Sequence, residues 1–201
     1  RGINLVHSAS STNTPAIISG NDIQVGDPGT TGYTSSIAGI EIGTGNYGSL
    51  IYNNNIHDVV NQTSAGYHAI GIYITGSTGT DQLKIYNNFI RDMLASRYSS
   101  VITTVGQNHG IFFSAGATNV SIDNNTIVLS KNCTTSPTTV VSNYISTCVA
   151  ASVSGVTIIN LRNNIFVNTQ TSTESYGIYT VSNSNISSGT MDNNCFWIPN
   201  G

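Results

Sequence analysis

Two dipeptides stand 34 residues apart in this chain of 201, His57-Asp58 and Arg91-Asp92, each a carboxylate preceded by a side chain able to carry positive charge. Two carboxylates held about 5 Å apart are near the separation that retaining glycosidases use, one as acid and one as nucleophile. The quartet is therefore the leading catalytic candidate. The simpler reading is a solvated patch in which Arg91 offsets the two acids, and exposed ion pairs of that kind contribute little.

The remaining chemistry is sparse. His109 sits in Asn108-His109-Gly110, without a nearby group of acids to work with. Cys133, Cys148 and Cys195 have no metal-ligand spacing, so neither a metal nor a cofactor is expected. A disulfide between Cys133 and Cys148 would close a Ser/Thr-rich segment for roughly 3 kcal/mol; two unpaired small residues fit equally well. Cys195 has no evident partner and reads as a small buried hydrophobe. No nucleophile-elbow, phosphate-loop or dinucleotide fingerprint occurs. The sequons at Asn61, Asn119, Asn124, Asn132 and Asn185 are what chance gives in so Asn- and Thr-rich a chain.

The elements that must position these residues emerge from self-similarity. Ile51-Tyr-Asn-Asn-Asn-Ile56 recurs at Ile85–Ile90, Ile122–Ile127, Leu161–Phe166 and Met191–Phe196, with a weaker copy at Ile18–Ile23. The second Asn of each copy falls at 21, 54, 88, 125, 164 and 194. A partner element precedes it: Gly2-Ile-Asn-Leu, Gly39-Ile-Glu-Ile, Gly71-Ile-Tyr-Ile, Gly110-Ile-Phe-Phe and Gly177-Ile-Tyr-Thr, with Cys148-Val-Ala-Ala in the remaining slot. Each unit reads as strand, turn, strand and a variable arc, the pattern of a solenoid. Ile51 and Ile56 are an odd number of residues apart, so both face inward only if the chain bends at the Asn pair, and Asn tolerates the left-handed geometry such a bend needs.

These repeats resemble the right-handed parallel β-helix of the pectin-lyase-like class over essentially the whole chain, and more loosely the β-helix regions of secreted bacterial cell-surface proteins. The resemblance implies an all-β solenoid, and the repeats count about six coils in one domain over residues 1–201; the apolar-alternating segments at both ends lead us to expect a segment of a longer chain or a processed product. It implies no single activity, because the fold hosts lyases, hydrolases, tailspikes and adhesins. The enzymes of the class that resemble this chain carry a compact charged constellation on an outer face, for which Asp58 and Asp92, with His57 and Arg91, are the aligned candidates here.

Stacked coils bring equivalent residues about 4.8 Å apart. Asn54, Asn88, Asn125, Asn164 and Asn194 then form an amide ladder, while aligned like charges would repel, which accounts for a charged content of 7% where about 25% is usual. Asp123 and Asp192 flank Arg162 as a surface ion pair. Tyr73, Phe112 and Tyr179 share one outward slot, and Tyr52 with Tyr86 another, so each could form a sugar-binding strip. A net charge of −3 and scattered Lys and Arg exclude a nucleic-acid surface, and no run of 18 apolar residues spans a membrane. The expected role is a secreted or cell-surface structural or adhesive module. Its partners would be flanking coils, further copies stacked end to end, or an extracellular polysaccharide. A polysaccharide-active enzyme or carbohydrate-binding module is the alternative.

Overall fold

The computed structural model describes residues 1–5, 15–26, 35–45, 48–61, 67–76, 82–95, 107–132, 145–152, 155–171, 174–180 and 190–200. Cys133 and Asn185 fall outside them, so the Cys133–Cys148 pairing does too. The described residues are all-β, with strands in groups of three. In chain order these are β1 (Ile3–Leu5), β2 (Ile17–Ser19) and β3 (Asp22–Val25), then β4 (Ile37–Ile42), β5 (Leu50–Tyr52) and β6 (Asn55–Asn61). There follow β7 (Ala69–Ile74), β8 (Leu83–Tyr86) and β9 (Phe89–Ala95), and β10 (Asn108–Phe113), β11 (Val120–Asp123) and β12 (Thr126–Leu129). The last groups are β13 (Ile145–Ala151), β14 (Ile158–Arg162) and β15 (Ile165–Asn168), and β16 (Glu174–Thr180), β17 (Thr190–Asp192) and β18 (Cys195–Trp197).

Corresponding strands pair in parallel to give three six-stranded sheets: β1-β4-β7-β10-β13-β16, β2-β5-β8-β11-β14-β17 and β3-β6-β9-β12-β15-β18. The chain is a parallel β-solenoid. The unit expected as strand, turn, strand has three strands, because the bend at the Asn pair divides the second strand between two sheets. The first Asn of each pair makes that bend: Asn53, Asn87, Asn124, Asn163 and Asn193 have φ between 52° and 57°, and Gly20 takes the slot at 69°. The bend brings both flanking apolar residues inward, and Ile51, Ile56, Ile85, Ile90, Ile122 and Ile127 are fully buried. Burial of each such side chain is worth about 1.5–3 kcal/mol.

The first sheet packs close to the third at its glycine column. A Cβ on Gly71 would lie 2.5 Å from Ile90 Cγ2 and 2.6 Å from Gly110 O, too near for any side chain without a shift. The second Asn of each pair points inward and carries hydrogen bonds along the axis. Asn54 Nδ2 donates to Asn88 Oδ1 (2.9 Å), Asn88 to Asn125 (2.9 Å), Asn125 to Asn164 (3.2 Å) and Asn164 to Asn194 (2.9 Å), with Asn21 joined above Asn54 (2.8 Å). The backbone N–H of each donor residue bonds the same oxygen, and the other amide hydrogen reaches the carbonyl of the preceding layer, as Asn88 does to Ile51 O at 2.9 Å. A buried amide thus has its valences filled.

The two ends differ. Ile18 and Ile23 in the first group are buried, whereas Met191 and Phe196, in the same inward columns of the last, are 49% and 45% exposed. Cys195, expected to be buried, is exposed, because its column on the third sheet faces outward: Ile165 and Phe89, in the same column of covered layers, are 45% and 41% exposed.

Candidate functional site

His57-Asp58 and Arg91-Asp92 lie in β6 and β9, paired with His57 opposite Arg91 and Val59 opposite Met93. Asp58 and Asp92 are extra residues with φ of 49° and 62°, and against β3 the register slips at this point, Gln24 facing His57 but Val25 facing Val59. A bulge of this kind re-aims the side chain it carries. Here it places two carboxylates side by side on the outer face, Asp58 half-buried and Asp92 buried.

Both acids are already engaged. Lys131 Nζ lies 2.5 Å from Asp58 Oδ1 and 3.5 Å from Asp92 Oδ2, and Arg91 Nη1 is 2.9 Å from Asp92 Oδ2 and 4.0 Å from Asp58 Oδ2. Ser130 Oγ donates to Asp92 Oδ1 at 3.1 Å. His57 bridges outward, with Nδ1 2.8 Å from Asp58 Oδ2 and Nε2 3.2 Å from Asp22 Oδ1, and Asn55 Nδ2 donates to the same Asp22 oxygen at 2.6 Å. The hydrogen bond from Lys131, and after it that from His57, holds the Asp58 carboxyl below its ordinary value, and the same bond to Asp58 holds Lys131 above its own. The cluster spans four layers, two more than the sequence register brings together. Lys131 and Ser130 follow β12 outside the repeat slot, so no alignment of the repeats points to them.

A second ion pair closes on itself. Arg162 donates from Nε to Asp123 Oδ1 (3.1 Å) and from Nη2 to Oδ2 (3.3 Å), and Ser121 Oγ also donates to Asp123. The bond to Asp123 keeps Arg162 firmly protonated, with Asp192 adding a weaker Coulombic contribution.

The aromatic residues divide between two faces. On the first sheet, Tyr73 and Phe112 stack at 5.4 Å, and His109 stacks on Phe112 at 4.3 Å. This column is not an open strip: Phe112 is buried with Ala38, Ile70 and Ala150, Tyr73 and Tyr179 pack against that group, and Ala150 interrupts the rings. His109 is fully enclosed, its Nδ1 2.6 Å from Thr147 Oγ1, and burial pushes its imidazole well below the usual value. The neighbouring His68 is lowered to about 4, also by burial. His109 is thus a neutral structural group. On the second sheet, Tyr52 and Tyr86 stack at 4.8 Å, half-buried, beside a shallow hollow.

Cys148 fills the glycine slot of β13 and is buried, its Sγ 3.8 Å from Val167 O, and burial raises its pKa. Among the described residues no group of three or more potential metal ligands occurs, and none of them forms a helix long and apolar enough to cross a membrane. Compared with known protein families, curated proteins and solved structures, the chain matches none.

Proposed function

We propose that this chain is a structural or adhesive β-helix module of the pectin-lyase-like architecture, secreted or displayed at a cell surface, and not a catalyst. The observation that carries this reading is the internal neutralisation of the one aligned acid pair. A glycosidase needs one carboxyl that still holds its proton near neutral pH, and Lys131 and His57 act on Asp58 in the opposite sense. The sparse charge and the Asn ladder support a rod whose surface is polar but neutral.

The last layer supports assembly through a second copy. Each ladder Asn donates from its N–H and Nδ2 to Oδ1 of the next layer. Asn194 therefore presents donors, and Asn21 of another copy an acceptor, in line with parallel strand edges. Such a head-to-tail contact repeats into a filament and does not close.

Light scattering over a concentration series tests this, with Asp58→Asn/Asp92→Asn alongside the parent chain. Asn adopts left-handed φ readily, so the double variant removes the charge without a backbone cost. Mass that grows with concentration, equally in both proteins, is the expected result. A parent chain that stays monodisperse at high concentration removes the filament from the account, and loss of growth in a folded double variant ties the acids to assembly instead.

A further inference from the structure

On the outward face of the second sheet, Tyr52 pairs with Tyr86, Tyr86 with Asp123, and Asp123 with Arg162. The Tyr52 and Tyr86 planes are 7° apart. Asp123 is shorter than a tyrosine, so the face of Tyr86 turned away from Tyr52 borders an open hollow of about 400 Å³, whose walls include Lys84, Asp123, Asn160 and Arg162.

The cations differ in how they are used. Arg1 pairs with Glu41, Arg91 and Lys131 with Asp58 and Asp92, and Arg162 with Asp123. Lys84 is exposed, two residues before Tyr86 on the same face, and among the described residues it has no carboxylate partner. Among the described residues, Lys84 is thus set apart from the four cations that pair with carboxylates, and it lies beside a half-open aromatic face.

We propose that this hollow binds one ring of an acidic glycan, which names the partner in the adhesive reading and rests on it. The C–H face of a sugar ring is apolar with slightly positive hydrogens and packs on the negative face of an aromatic ring. Tyr86 supplies that face. Lys84 meets the carboxylate or sulfate of the sugar, and the amide of Asn160 is placed to bond a hydroxyl. Arg162 is held by Asp123 and faces Asp192 in the next layer, so Lys84 is the cation left to meet an anionic group in the hollow. A nucleic-acid strand, recognised by several cations on successive phosphates, is poorly served.

The test is affinity electrophoresis of the intact chain through gels carrying alginate, dextran sulfate or neutral dextran, with released reducing ends assayed in the same samples. Retardation by alginate or dextran sulfate and not by dextran is expected, and whichever polymer retards identifies the anionic group. Tyr86→Ala and Lys84→Gln should each weaken it roughly tenfold, with the β signature in circular dichroism unchanged. No retardation, equal retardation by dextran, or retardation indifferent to both substitutions overturns the site. Release of reducing ends instead counts against the non-catalytic reading, so the two failures are distinguishable.

Discussion

Gln170, buried behind the third sheet, donates from Nε2 to the backbone carbonyl of Lys131 at 2.7 Å, fixing the segment that carries the Lys131 ammonium to Asp58. The same Nε2 donates to Met93 O (3.0 Å), and Oε1 accepts from Asn108 Nδ2 (2.8 Å). One buried amide thus ties the outer charge cluster to the interior.

Replacing Gln170 with Leu strands these partners, at about 1–3 kcal/mol for each buried group left unpaired. Urea unfolding should show a loss of about 2–5 kcal/mol, and the Asp58 titration followed by NMR should move back up towards an ordinary carboxylate as Lys131 loosens. A change in stability without movement of Asp58 would detach Gln170 from the cluster.

The ladder should be unequal along its length. Asn125→Ala removes the acceptor used by both Asn88 donors and the donor to Ile85 O, so a loss of about 3 kcal/mol or more is expected. Asn194→Ala, at the open layer, should cost less than half as much, as hydration replaces part of what is lost. Equal losses in thermal or urea unfolding would deny the ladder its cooperativity.

The bend residues make a separate demand on the backbone. At Asn87, with φ of 54°, Gly should be tolerated within a few tenths of a kcal/mol while Val should cost about 1–2 kcal/mol or more. Matched unfolding curves for the two variants are the check, and a harmless Val would show that the bend does not need left-handed geometry.

What was readable in the sequence is what every layer repeats. The Asn pair recurs in five layers, with Gly20-Asn21 in the first, because each layer needs one residue to turn and one to bond its neighbours, so spacing alone placed the ladder and the inward isoleucines. What lies off the repeat was not readable. Lys131 follows its strand in an arc of irregular length, and only three-dimensional packing sets it over Asp58. The enclosure of Phe112 and His109 is equally unmarked, since a covered and an open outward slot show the same alternation. Cys195 misled because the residue after each Asn pair faces outward, and Phe89 and Ile165 in the same column are apolar yet exposed.

Acid should weaken the fold through the enclosed histidines. His68 titrates at about 4 in the folded chain against about 6.5 unfolded, so the unfolded state binds the extra proton and stability falls as pH drops from 6.5 to 4, by up to about 3 kcal/mol. His109 shifts in the same direction. Asp58, lowered, adds a loss only at more acidic pH, as the carboxylate itself protonates. His68→Gln should flatten the denaturation-midpoint profile between pH 6.5 and 4; a profile unchanged by that substitution would contradict the assignment.

The central claim, that the aligned acids hold layers together and do not cut sugar chains, meets its most direct test in product release. The intact chain is incubated with acidic polysaccharides, and reducing ends and unsaturated products are followed over time beside Asp58→Asn/Asp92→Asn. Both proteins are expected to release nothing above the buffer control. Release by the parent chain that disappears in the folded double variant would contradict the account and make Asp58 and Asp92 an active site.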